Sequence, residues 1–428
     1  MKERVARSFD LFANKLVQFS QEKGRISWWI FLFVLALALA SITPLAGHSR
    51  SIGDRQTICQ SEQREIRGVW LTNIDSDVLF ETEKTEEAIE LLAEANFNTL
   101  YPTVWNWGYT LYPSKVSEAF TGLALDPTEG LQERDILQEI VELGHDRGMD
   151  VIPWFEFGFM APADSELAQR HPEWLTSRQD GSTIWWEGKV HQRVWLNPLR
   201  PDVQEFMTDL IVEIVSNYDI DGIQLDDHFG YPSELGYDDY TVELYQEEHE
   251  GKLPPSNPKD REWVQWRADK ITDYVETLFH EIKKHNSNAI VSVSPNPQHF
   301  SLNSFLLDWY RWERKGLIEE LIVQIYRDSN RSFIRELLQP EIQAAREHIP
   351  VGIGILSGLK GREIPWHKIY TQVKLAREQK FAGISFFFYE SLWNLTAELP
   401  ARRQAALKNI FHHQAQRPHV SNCEFKLQ

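Results

Sequence analysis

Cysteine is nearly absent: the 428 residues contain two, Cys59 and Cys423, so at most one bridge can form within the chain. Positive charge is also scarce, with 44 Lys+Arg against 63 Asp+Glu and a formal charge of -19. Such an acidic chain argues against nucleic acid and against polyanionic ligands in general, though not against a neutral polymer. No glycine-rich fingerprint follows the first strand, which counts against a dinucleotide fold. No His-x-His opens the fold and no helical His-x-x-x-His pair occurs, so a metal centre lacks its usual companions. Neither a short-period repeat nor a low-complexity tract is present. No metal and no cofactor is expected.

What the chain does have is apolar and aromatic. Hydrophobic residues make up 42%, enough for a large core, and Trp occurs 16 times. One uncharged run, "ISWWIFLFVLALALASITPLAG", extends from Ile26 to Gly47 and is long enough to span a bilayer core. The preceding residues 1–25 are net basic, which predicts a cytoplasmic N-terminus and export of the rest. That leading stretch is long for a signal peptide and no clean small-x-small site follows, which favours an uncleaved anchor over a cleaved signal. Residues 48–64 read as a polar linker, 65–414 as the folded domain and 415–428 as a C-terminal tail. In an exported barrel whose two ends meet, Cys59 and Cys423 are placed to form one bridge; two unrelated thiols on tails is the alternative. The expected partners are a polysaccharide and, through the N-terminal segment, a membrane.

From Glu65 onward short apolar stretches alternate with amphipathic ones. The predicted strands are 66–73, 98–105, 150–157, 222–227, 289–296, 321–326, 351–356 and 383–390. Between them, "TEEAIELLAEAN" and "RDILQEIVELGHDRG" carry apolar residues at three- and four-residue spacing, and "RPDVQEFMTDLIVEIVSNY" has proline in its first turn. Eight strands alternating with helices in one domain predict a (β/α)8 TIM barrel, with a doubly wound open sheet as the alternative.

In such barrels the chemistry lies at the C-terminal strand ends, and alternation decides which side chains face the axis. In "DGIQLDDHFGYP", Ile223 and Leu225 should face the helices, so Gln224 and Asp226 face inward. Asp226 is thereby preferred over Asp227, with His228 continuing the inner face. By the same alternation Trp154 and Glu156 face in on strand 3, Ser292, Ser294 and Asn296 on strand 5, and Gln324 and Tyr326 on strand 6. Gly352 and Gly354 leave space on strand 7. On strand 8, Ser385 and Tyr389 look inward and Glu390 lies at the rim. Two inward carboxylates among aromatics and amides suit glycoside hydrolysis, in which one carboxyl protonates the leaving oxygen and the other attacks or activates water. Glu156, among Phe155, Phe157 and Trp154, fits the acid, because an apolar setting raises a carboxyl pKa. Asp226 fits the ionised partner; Glu390 is a reserve acid or base and Asp328 a weaker one. Long connections after strands 2, 3 and 4 carry Trp105, Trp107, Tyr109, Trp174, Trp185, Trp186, His191, Trp195, Asn197 and Tyr231. They are expected to line a cleft in which aromatic faces stack on sugar C–H faces.

The stretches "REIRGVWLTNIDSDVLF", "VIPWFEFGF", "VWLNPLRPDVQEF", "YDIDGIQLDDHFGYP" and "GISFFFYESLW" resemble the glycosyl hydrolase-like 10 family over about Glu65 to Asn394. The resemblance implies a (β/α)8 barrel exported from the bacterial cytoplasm. It also implies hydrolysis of glycosidic bonds in cell-wall glycan, notably peptidoglycan strands stripped of peptides, and a catalytic site around Asp226 and Asp227. Many relatives carry another residue where Glu156 stands, so the acid assignment rests on alternation. Two rival readings remain at this stage. One is a metal-dependent carbohydrate deacetylase using Asp226, Asp227 and His228; the other is a carbohydrate-binding barrel without catalysis.

Overall fold

A computed structural model of the chain describes residues 64–420. The apolar segment Ile26–Gly47, Cys59 and Cys423 lie outside that range. Among the described residues no helix is long and apolar enough to cross a membrane.

Eight parallel strand positions form one sheet. They are β1 (Ile66–Leu71), β2 (Thr99–Pro102), β3 (Asp150–Val151 and Trp154–Phe155), β4 (Gly222–Asp226), β5 (Ile290–Ser294), β6 (Glu320–Gln324), β7 (Val351–Leu356) and β8 (Gly383–Phe387). β3 is divided at Ile152–Pro153, where proline has no N–H to give to a ladder. Its first half pairs with β2 and its second with β4. The two ends of the sheet are thus halves of one strand, and the sheet curls into a TIM-barrel-like cylinder. β8 closes on β1, Ile66 opposite Gly383 and Gly68 opposite Ser385.

The helices between strands bury one stripe each. In Ile136–His145, capped by the Asp135 side chain on the Gln138 N–H, Leu137, Ile140, Val141 and Gly144 face the sheet. Pro201 starts the helix Pro201–Asn217, as its fixed φ and missing N–H allow. The main core lies between sheet and helices and includes Ile223 and Leu225, the residues expected to point outward, together with Val291 and Val293.

A second, smaller core fills the cylinder: Ile66, Trp70, Tyr101, Ile152, Trp154, Ile322 and Phe388. A hydrogen-bond chain threads it. Trp70 Nε1 donates to Gln224 Oε1 at 2.7 Å, and Gln224 Nε2 donates to Ser292 Oγ at 3.0 Å. Ser292 and Tyr101 both donate to Glu320 Oε1, at 2.8 and 3.0 Å. Gly68 permits this packing, since a Cβ there would lie 2.6 Å from the Tyr101 ring. The floor is closed by Arg417. This residue, expected to lie in a tail, reaches Glu320 and Thr99 from below.

Strand 8 departs from expectation. It stops at Phe387, and a short helix, Tyr389–Trp393, begins two residues later. Ser385 faces inward as read, but Phe387 takes the next inner position, packed on Trp70, Trp154 and Tyr326.

Candidate active site

The C-terminal ends of β3, β4, β5 and β6 bring together most of the polar residues selected by alternation. Asp226 ends β4 and is 3% exposed. Its Oδ1 accepts from Ser294 Oγ at 2.9 Å and Gln324 Nε2 at 2.8 Å. Its Oδ2 lies 3.1 Å from His228 Nδ1. Beyond Asp226 the chain enters a 3-10 turn, Asp227–Phe229, and alternation ends. Asp227 is therefore not sent to the far side of the sheet. It returns beside Asp226, with its Oδ1 3.6 Å from His228 Nδ1, and accepts from Asn296 Nδ2.

Glu156 follows β3 by one residue and is 7% exposed. Its Oε2 accepts from Asn106 Nδ2 at 2.7 Å, Thr72 Oγ1 at 2.9 Å and Thr103 Oγ1 at 3.1 Å. Its backbone oxygen lies 2.8 Å from His228 Nδ1. His228 thus ties the two halves of the site together.

Electrostatics follow from burial. Burial raises the Glu156 carboxyl to about 7, against the pull of the Thr72 and Thr103 hydroxyls and of His228. With three donors gathered on Oε2, the proton belongs on Oε1. Burial, and then the neighbouring Asp227, push Asp226 well above the usual carboxylate range, while its bond to His228 opposes them. The sequence expectation that Asp226 is readily ionised beside polar neighbours therefore does not hold, because burial and Asp227 outweigh those neighbours; its anion depends on His228. Burial disfavours the imidazolium, but Asp227 and Asp226 outweigh it and raise His228 to about 10. His228 is therefore charged at neutral pH, beside the Asp226 carboxyl that it supports. Burial, Asp226, Asp227 and Glu156 all raise Tyr326, whose phenol stays protonated at the mouth.

Asp226, Asp227 and His228 offer ligand atoms within 4.8 Å of one another, which is spacing a cation accepts. However, His228 Nδ1 faces a backbone oxygen, which can only accept, so that nitrogen carries a proton and is not a ligand here.

The aromatic expectations divide. Trp154 is buried in the floor between Trp70 and Phe387. Trp195 is buried with its ring centroid 5.7 Å from that of His228, backing the site from behind. Trp107, 40% exposed, stands on the rim. Four further residues expected to line the cleft are buried away from it: Trp105, Trp174, Asn197 and Tyr231. Trp174 donates to Asp202 Oδ2 at 3.0 Å and packs on Phe120 and Phe206. Trp105 is fully buried, donating to Gly158 O at 2.8 Å and packing on Phe206. Asn197 is spent on Asp238, Thr241 and the Leu199 N–H. Tyr231 lies in the main core. Long loops need cores of their own, and these residues supply them. Tyr389 and Glu390 sit on the helix after β8. Tyr389 packs on Trp393, and Glu390 meets Asn394 and Asp77 rather than the Asp226 group. Asp328 is paired with Arg362 and Lys368 on the outside. Three partners of the carboxylates were not singled out from the sequence: Thr72, Thr103 and Asn106. Thr72 and Thr103 continue the inward alternation of β1 and β2 by one step, so the signal was present.

The chain matches the description glycosyl hydrolase-like 10 over residues 65–374. Glycosyl hydrolase DigH of Escherichia coli K12 is 25% identical over 358 residues, covering 71% of this chain and 76% of the relative. Glycosyl hydrolase YngK of Bacillus subtilis is 26% identical over 253 residues, covering 54% of this chain and 45% of the relative. Among solved structures, the PgaB (BpsB) glycoside hydrolase domain from Bordetella bronchiseptica aligns with a TM-score of 0.55 at 12% identity, covering 78% of this chain and 99% of that domain. The catalytic domain of β-amylase from Paenibacillus polymyxa aligns with a TM-score of 0.55 at 10% identity, covering 81% and 99%. At such identities the two structures speak for the fold alone. With a match over most of its folded part and carboxylates gathered at the barrel mouth, the chain belongs to the glycosyl hydrolase-like 10 family and is a glycosidase.

Proposed function

We propose that the protein hydrolyses glycosidic bonds in cell-wall glycan, with peptide-free peptidoglycan strands as its substrate and Glu156 and Asp226 as its two working carboxyls. The observation that carries this reading is the contrast between them. Glu156 is a buried carboxyl raised to about 7, so it holds a proton near neutral pH and can give it to a leaving oxygen. Asp226 is held by Ser294, Gln324 and His228, three donors that support an anion once the imidazolium is in place. That anion is the group to attack the anomeric carbon or to draw a proton from water. Asp227 and Asn296 keep His228 charged and positioned. The apolar run Ile26–Gly47 supports export, with the barrel outside the cytoplasmic membrane where such glycan lies.

The test is incubation of the protein with purified glycan strands, with and without peptides, followed by sizing of the products. Shortened peptide-free strands are expected, and none from the Asp226→Asn variant. Release of acetate without chain shortening, lost with chelator and restored by zinc, would instead favour deacetylation at the Asp226–Asp227–His228 trio.

A further inference from the structure

The connection after β3 folds into its own three-stranded antiparallel sheet, Met160–Pro162, His191–Trp195 and Trp185–Glu187. Two open cavities of about 390 and 540 Å³ lie along it. Pro162, Asp164, His191 and Arg193 line both, so the two are one continuous groove. Trp107 borders one end and Trp186 the other, at 40% and 51% exposure. Most tryptophans among the described residues are buried, and these two have the most exposed indole rings.

The groove is joined to the carboxylates. The Arg193 guanidinium lies 5.0 Å from the centroid of the Phe157 ring, and Phe157 is the residue after Glu156. Arg193 also pairs with Glu187 at 2.8 Å, and the Glu187 charge acts on Glu156. Arg193, which lines the groove, thus connects it to the acid through Phe157 and Glu187.

We propose that this groove binds the arm of the glycan chain that extends away from the cleavage point, and that it selects an extended polymer of equatorially linked pyranoses. The inference rests on the hydrolase reading above. Equatorial linkages leave each sugar with flat C–H faces along a nearly straight chain, which can lie on Trp107 and then Trp186. Asp164 and Glu166 supply acceptors for ring hydroxyls between the two indoles, Glu166 being held in place by Tyr109. Axially linked chains coil and would leave the groove after one platform. Binding energy gathered there is remote from the chemistry, so it should appear as a dependence on strand length.

The experiment measures kcat and KM of the full chain on size-fractionated peptide-free glycan strands. In the wild type, kcat/KM is expected to rise with length until the groove is filled. Trp186→Ala and Trp107→Ala should each remove most of that rise, roughly tenfold for the longest strands, through KM rather than kcat. Trp186→Phe, which keeps an aromatic face, should restore much of it. A full wild-type length dependence in either alanine variant overturns the groove. A second readout separates the two readings: binding of the same strands to Asp226→Asn, followed by tryptophan fluorescence. Length-dependent binding that needs Trp186, beside a wild type that shortens no strand, would overturn the hydrolase and leave the groove standing; binding without length dependence, beside an active wild type, would overturn the groove alone.

Discussion

At Asp226 and Glu156 a few ångströms of burial set the chemistry. Asp226→Asn keeps the shape and the bonds from Ser294 and Gln324 but cannot carry the anion. Cleavage of glycan strands should fall by about 10³-fold or more with an unchanged near-ultraviolet spectrum; full activity would remove Asp226 from the mechanism. The acid gives a signed pH dependence. A carboxyl raised to about 7 donates below that pH and has lost its proton above it, so kcat/KM should fall as pH rises through about 7. On the other side, protonation of the Asp226 group should lower activity at a pH above the ordinary carboxylate range. Glu156→Gln should abolish the upper limb. It should cost far more on natural glycan than on an aryl glycoside, whose leaving group needs little protonation; equal losses would exclude the acid role. The same residue bears on stability. Its folded pKa lies above the unfolded one, so its favourable contribution is complete below about 4.5 and is lost as pH rises to about 7. Glu156→Gln should therefore be more stable than wild type at pH 8, by up to about 3 kcal/mol, with no such gain at pH 4. Urea unfolding at the two pH values measures the difference.

Elements deliver these side chains by two devices, one legible in the sequence and one not. Alternation placed Gln224, Asp226, Ser292, Ser294 and Gln324 correctly, because a strand with helices on one face and a filled cylinder on the other has no freedom of register. It failed where strands end. The turn after Asp226 brought Asp227 back to the same side, and the helix after Phe387 carried Tyr389 and Glu390 away. Neither event has a periodic signal. The loop aromatics Trp105 and Tyr231 misled for a related reason: composition alone does not distinguish a ring that covers a loop's own core from one that faces substrate. The turn after Glu156 depends on Gly158, at φ +49, where a Cβ would stand 2.4 Å from the backbone oxygen of His228. Gly158→Ala should push the β3 and β4 ends apart, at a cost of about 1–3 kcal/mol. The break should fall between Glu156 and His228, so kcat should drop in the surviving folded protein. A variant with wild-type stability and turnover would show that this close approach is not needed.

For the whole molecule, catalysis at the top of the barrel is matched by a charge problem at the bottom. Glu320 points into the cylinder from β6 with its side chain 1% exposed. A carboxylate there, in a narrow barrel filled with Trp70, Tyr101 and Ile322, is expensive unless it is paired. The partner comes from the far end of the described chain: Arg417 enters from below, 7% exposed, and meets Glu320, Thr99 and Asp150. Tyr101 and Ser292 complete the acceptor's bonds, and the chain of donors continues up the axis to Trp70 through Gln224. Arg417 is therefore part of the barrel's floor, although the sequence around it, without strand or helix periodicity, reads as a tail. Arg417→Ala should leave Glu320 buried and unpaired and cost about 3–5 kcal/mol in denaturant unfolding. Replacing Glu320 by Gln in the same chain should recover a large part of that loss, because a neutral amide needs no counterion while it can still accept from Ser292 and Tyr101. Additive losses in the double variant would mean that Arg417 acts by filling space and not by balancing charge.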